Sequence, residues 1–242
     1  MPITEPDLLL ISLLIVMTGA LVQGSLGMGF GQIGAAGLIW TVPELLPGTV
    51  IIMAILVGSI GAWRERQGVD YFKLSYALLG RTGGAIVALP LLFWTSGHPQ
   101  DFALLFAVLI LIGAGCSLCQ INLPMNRFSL LGGGLASGVM GTITSVGAPP
   151  MGLVFQNETA TTARPTLNLF FALGAIPSLA VLAWSGHLQS GHIWAAIILL
   201  PGYLLGVYLS RYLHVQINEQ FRLAVIGFST VSALALILRA TL

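Results

Sequence analysis

The sequence predicts an all-α, polytopic membrane protein, and three observations carry that expectation. Only 7% of its 242 residues are charged and 56% are hydrophobic, where an average soluble domain is roughly 25% charged. Mean hydropathy is +0.95 over 25.5 kDa, which a water-soluble fold of that size cannot hide because much of its surface must stay polar. The apolar residues also gather into runs of about 20 or more, the length that crosses a bilayer as a helix.

The runs follow in a suggestive order. The first, about 8–40, is too long for one crossing and is rich in glycine. Its flank carries Glu5 and Asp7 and no basic residue, unlike a cleaved signal peptide, so it is expected to stay in the mature chain. Ordinary spans follow at about 48–63, 73–95 and 101–119. The order then starts again, with a long glycine-rich run at about 128–155 and spans at about 164–184, 191–210 and 221–239. This predicts two membrane repeats, 1–120 and 121–242, within one transmembrane domain. Local matches are weaker: Leu26-Gly27-Met28-Gly29 with Met140-Gly141-Thr142, and Gln100-Asp101-Phe102 with Glu219-Gln220-Phe221.

Lys and Arg in short loops resist translocation and fix orientation. Arg64, Arg66 and Lys73 place their loop inside, and so does Arg127 for the loop before it. Arg211 and Arg222 place another loop inside, whereas 185–190 has no Lys or Arg and belongs outside. These assignments agree only if 128–155 starts and ends inside and 8–40 starts and ends outside. Each is then a broken or re-entrant hairpin, and the two halves insert in opposite senses with both termini outside.

Glycine placement fits this arrangement. Six glycines lie from Gly24 to Gly37 and seven from Gly132 to Gly152, in positions where glycine lets a chain turn. Irregular backbone at membrane depth needs protein or a water-filled cavity around it, and two matched breaks point to a binding site where they meet. The competing explanation is close helix packing through small residues. Gln23, Ser25, Gln32, Thr142, Thr144 and Ser145 cluster at the breaks, which packing alone does not require. Free N–H groups at the breaks, including those near Gly27 and Gly29, would stabilise an anion. The hydroxyls either join them or bond back to their own helices.

Several functions are excluded by what is missing. No stretch remains for a soluble catalytic or nucleotide-binding domain, and a net charge of +1 offers no basic face for nucleic acid. Cys116 and Cys119 imply no disulfide framework and read as packing residues. His98, His187, His192 and His214 share no metal-ligand spacing, so neither metal nor cofactor is expected. Ser25 has no intramembrane His, and no span interior holds two acids, which argues against an intramembrane enzyme. Trp40, Trp63, Trp94, Trp184, Tyr203, Tyr208 and Tyr212 fall mostly near span ends, as an interfacial belt would. The expected partners are a small anion and the bilayer, with a homo-oligomer left open.

Arg81 stands out because it lies well inside the span 73–95. A charge there either faces a partner or aqueous cavity, or snorkels to the headgroups.

The run from Gly19 to Gly31, with Gln23-Gly24-Ser25-Leu26-Gly27-Met28-Gly29-Phe30, and the later run from Gly138 to Pro150 resemble the paired glycine motifs of the TauE/SafE family of sulfite and organosulfonate exporters. The resemblance continues through Arg164-Pro165-Thr166-Leu167-Asn168-Leu169-Phe170-Phe171 and Gln220-Phe221-Arg222-Leu223, and it covers essentially the whole chain. Many members have a tighter glycine cluster followed by proline in the first hairpin, where this chain has Gly31-Gln32-Ile33-Gly34. The resemblance implies a permease in the bacterial inner membrane that exports sulfite, sulfoacetate or related organosulfonates. An organic-acid permease or an anion channel of the same fold are the alternatives. Arg164 matches the family motif and either engages the anion through its planar fork or serves as a topogenic charge. Asn168, one turn on, shares its side.

Overall fold

The computed structural model describes residues 5–118, 123–212 and 219–241. Cys119 and His214 lie outside the described residues, as do the side chains of Gln220, Phe221 and Arg222. Among the described residues every long element is a helix. They are α1 (Pro6–Leu26), α2 (Phe30–Thr41), α3 (Gly48–Arg64), α4 (Tyr71–Thr95), α5 (Pro99–Leu118), α6 (Arg127–Thr144), α7 (Ala148–Phe155), α8 (Ala160–Trp184), α9 (Ser190–Leu209) and α10 (Glu219–Thr241). Helices α1, α4, α5, α8 and α9 are long and apolar enough to cross a membrane, and α3 and part of α10 are shorter apolar helices. The chain is a multi-pass membrane protein, and its ordinary spans fall within about a turn of their expected bounds.

Each long glycine-rich run contains two helices. Helix α1 stops at Gly27, φ +82°, and α2 starts after Gly29, φ +112°, conformations that cost glycine little. Helix α2 folds back along α1: Ser12 Oγ donates to Thr41 Oγ1 at 3.0 Å, Gly37 sits on Ile15 and Gly19 on Phe30. Helix α7 lies back on α6 in the same way, with Gly133 against Val154 and Ser137 Oγ donating to the Gly147 carbonyl at 2.6 Å. In α6 the left-handed stop is Ser145, φ 60°. Gly141, matched with Gly27 in sequence, lies inside α6, and the stop comes four residues later.

Glycines also set how closely the spans approach. Gly80 and Gly84 of α4 face Gly134, Gly138 and neighbouring backbone of α6, where any Cβ would strike main-chain atoms. This is small-residue packing between membrane helices. The register, Gly80 on Leu131 and Gly84 on Leu135 and Gly138, makes α4 and α6 parallel. Helices α1 and α9 are parallel too, with Leu13 on Gly202 and Met17 on Gly206, whereas α3 and α8 are antiparallel, with Gly68 on Thr161 and Gly58 on Ala172.

One end of the bundle collects the charges. Lys73 Nζ bonds Glu158 at 2.9 Å and Asp70 at 3.1 Å, and Arg164 bonds Glu65 at 3.1 Å. The Asp70 amide donates to Thr166 Oγ1 at 3.0 Å. These bonds join the end of α3, the start of α4 and the start of α8. At the opposite extreme of polarity, Trp63, Trp94 and Trp184 are exposed at helix ends. Tyr203 corrects the belt expectation: it is fully buried and meets Phe30 edge-on at 5.5 Å, because the face of α9 that carries it packs on α1.

Candidate functional site

Arg81 lies ten residues beyond Tyr71 in α4, about 15 Å along the helix. Its side chain is 4% exposed, so it turns inward and does not snorkel. Nη1 donates to the Ser137 carbonyl at 3.1 Å and to Ser137 Oγ at 2.7 Å. The guanidinium also stands 5.1 Å from the Phe170 ring and 5.5 Å from Phe171, within the range of a cation–π contact. Its Nε has no hydrogen-bond partner among the described residues, and no ion pair includes it. A buried cation without a carboxylate is costly in apolar surroundings, and an anion beside it would relieve that cost.

The space beside Arg81 is where the two breaks meet. Gly31 packs on the Ser145 carbonyl so closely that a Cβ could not fit. Gln23, Gly29, Phe30 and Gly31 line the cavity from the first turn, and Ser145 and Gly147 from the second; Arg81 adds its charge, and Val50, Ile51 and Ala54 of α3 with Phe171 and Ala175 of α8 form an apolar wall. The cavity measures about 30 Å³, room for about two water molecules. Gly174 lies against Arg81 Nε and Cδ, and Gly141 lies 3.0 Å from both terminal nitrogens, measured from the position a Cβ would take. Small residues thus leave the volume that the arginine fills.

The two helix starts at the cavity differ chemically. At α2, Gln23 Oε1 accepts the Phe30 amide at 3.2 Å, and the Gly31 and Gln32 amides follow as first-turn donors. At α7, Pro149 and Pro150 occupy the first turn and carry no N–H. That leaves Gly147 and Ala148, which both line the cavity, as the residues with an amide to offer at the start of α7, and Arg81 adds its guanidinium on that side, held to the Gly147 carbonyl through Ser137.

The remaining residues singled out from the sequence divide into groups. Gln23 is buried and bridges helices, its Nε2 donating to Asn168 Oδ1 at 3.1 Å and to the Gly27 carbonyl at 3.0 Å. Asn168 in turn sits on Gly61 of α3. Thr142 Oγ1 pairs with Ser178 Oγ at 2.8 Å. Thr144 Oγ1 bonds the Met140 carbonyl at 2.7 Å, and Ser25 Oγ the Leu21 carbonyl at 2.9 Å; both bond back to their own helix. Ser145 lines the cavity while its hydroxyl donates to the Thr144 carbonyl. Gln32 is half-buried and outside the cavity lining. Arg164 also lies outside that lining; Gly27 rests on its backbone.

Four contributors were not singled out. Ser137 orients Arg81, the Phe170 and Phe171 rings flank it, and Gly174 makes room for it. Ser137 stands one turn before Gly141, so the i, i+4 face of α6 carried a signal. Nothing in the sequence tied that face to Arg81.

The family model described as "Sulfite exporter TauE/SafE" matches residues 11–236. No curated protein and no solved structure matches the chain.

Proposed function

The chain belongs to the sulfite exporter TauE/SafE family, and on that premise we propose that it is an inner-membrane permease whose cargo binds beside Arg81. The observation that carries this reading is the buried Arg81 guanidinium, without a carboxylate partner among the described residues, at the meeting point of two broken helices. The anion would take hydrogen bonds from Arg81 on one side and from the Gly31 amide on the other, while Gln23, whose two Nε2 donors are already used, holds the turn in place. Sulfite is the favoured cargo. Its compact, pyramidal oxyanion is the smallest of the candidates; a cavity of about 30 Å³ must widen to admit it, and sulfoacetate and other organosulfonates need the tips to part further. A carboxylate offers Arg81 the same two-oxygen edge, so competition between sulfite and organic acids separates the two cargo classes. Among the described residues no pair of buried acids offers a proton relay, and the inside-negative potential favours export by about 2.3 kcal/mol per charge per 100 mV.

The scaffold is proposed to be two inverted repeats, each a glycine-rich hairpin followed by three crossings. The pairing of helices supports this: parallel α4 with α6 corresponds to parallel α9 with α1, while α3 crosses its counterpart α8 antiparallel. The charged end, with Arg64, Lys73 and Arg164, is assigned to the cytoplasm, which leaves both termini periplasmic. Cysteines placed at Gly68 and Gly191 should then be labelled from opposite faces; labelling from one face contradicts inversion. The cargo reading is tested by sulfite flux from proteoliposomes under an imposed potential. Saturable, potential-dependent efflux supports a permease, whereas a linear, non-saturating current indicates a channel.

A further inference from the structure

We propose that Arg64, Arg164 and Arg211 form a second oxyanion site, at the mouth of the first hairpin, which collects the anion before it reaches Arg81. This rests on the permease reading above.

The charged end of the bundle is unevenly paired. Lys73 takes both Asp70 and Glu158, and Arg164 takes Glu65. Arg66 lies over the Trp63 ring at 4.8 Å. Arg64 and Arg211 have no ion pair among the described residues, although both are close together: Arg64 stands within electrostatic reach of Arg211, Arg164 and Glu65. Arg211 lies over the Tyr208 ring at 6.0 Å, and among the described residues the three guanidinium groups have Glu65 as their one carboxylate partner. Like charges so placed repel one another, and a bound oxyanion would offset that repulsion.

The geometry is more specific than a scatter of basic loop residues. Arg64 is half-buried, and its Nη1 lies 3.4 Å from Ser210 Oγ. Ser210 is 3% exposed and is wedged against Gly24, where a Cβ would meet its Oγ and Cβ. Arg164 Nε is buried without a hydrogen-bond partner, and the Arg164 backbone supports Gly27. Gly24 adjoins Gln23, which lines the Arg81 cavity. Ser210, which Arg64 meets, thus packs on α1 at the residue next to one that lines the cavity. The ligand class is an oxyanion with two or more exposed oxygens, either the cargo or a lipid phosphate, since a planar guanidinium binds both by the same fork. We assign the cargo, because Arg64 is half-buried and meets Ser210, which packs on Gly24 of α1 beside the cavity-lining Gln23.

The test is sulfite flux into proteoliposomes, measured for the wild type, the double variant Arg64→Gln with Arg211→Gln, and Arg64→Lys. The double variant should raise KM for sulfite about tenfold and leave kcat unchanged, because mouth charges act on capture. Its flux should also lose most of the salt dependence that the wild type shows up to about 0.5 M salt. Arg64→Lys, which keeps the charge, should retain most of the wild-type KM. An unchanged KM and salt dependence in the double variant, beside saturable wild-type flux, overturns the mouth site alone. Replacing phosphatidylglycerol with phosphatidylcholine gives the lipid arm. A wild-type KM that rises as far on that exchange as in the double variant assigns the arginines to lipid phosphate and overturns the proposal. Absence of saturable wild-type flux overturns the permease reading and the mouth site together.

Discussion

Ser137 Oγ lies 2.7 Å from Arg81 Nη1 and donates its own proton to the Gly147 carbonyl at 2.6 Å. One hydroxyl thereby fixes both the buried guanidinium and the start of α7. Removing it should loosen the arginine without removing its charge. Hydrogen bonds to charged groups contribute about 1.5–3 kcal/mol, so Ser137→Ala should weaken sulfite capture by about 10-fold to 100-fold while transport persists. Concentration-dependent sulfite flux measures this as a rise in KM.

Gly174 occupies space that Arg81 needs, since a Cβ there would overlap Nε and Cδ. Gly174→Ala should displace the guanidinium from the cavity and cost about 1–3 kcal/mol of stability through overpacking. Flux should fall further than the shift in unfolding temperature accounts for. Gly132, with nothing within 4 Å of its Cβ position, is the control: Gly132→Ala should leave flux unchanged.

The two left-handed stops should respond in opposite ways to substitution. Ser145 holds φ 60° without being glycine, a strain of about 1–2 kcal/mol. Ser145→Gly should therefore raise the unfolding temperature, with its lost hydroxyl bond to Thr144 a smaller effect. Gly27, at φ +82°, would place a Cβ 2.6 Å from the Arg164 carbonyl oxygen, so Gly27→Ala should lower it. Thermal unfolding in detergent reports both signs.

The spans were legible in the sequence because hydropathy alone fixes where helices must satisfy their backbone in lipid. The positions at which α1 and α6 stop were less so. Gly27 carries its reason in its residue type, but Ser145 does not, because a serine says nothing of positive φ. Arg81 was conspicuous by charge within an apolar run, whereas Ser137 looked like any small residue of a packed helix. Gly80, Gly84, Gly134 and Gly138 look like the hairpin glycines in sequence and instead bring α4 and α6 together. Tyr203 sits near a span end by count yet is buried, since which face of α9 meets α1 depends on tertiary packing.

Asp70 links stability to pH. Its carboxylate caps α4, accepting the Lys73 amide at 3.0 Å. That backbone bond, with the Lys73 ammonium adding to it, holds the carboxyl below the ordinary range. A depressed carboxyl stabilises the fold above its unfolded value, about 3.9, and the contribution is lost as pH falls through the folded value. Asp70→Ala should cost about 1 kcal/mol near neutral pH, and the difference from wild type should shrink as pH falls below about 4. Unfolding temperatures measured across that range give the test.

The central claim is that Arg81 holds the transported anion, and sulfite flux with Arg81→Gln and Arg81→Lys tests it most directly. Glutamine keeps hydrogen bonding but removes the charge, and lysine keeps the charge but loses the planar fork. The account predicts that Arg81→Gln abolishes saturable flux in a folded protein and that Arg81→Lys transports with a KM raised about tenfold or more. Wild-type KM and turnover in a folded Arg81→Gln variant would contradict it.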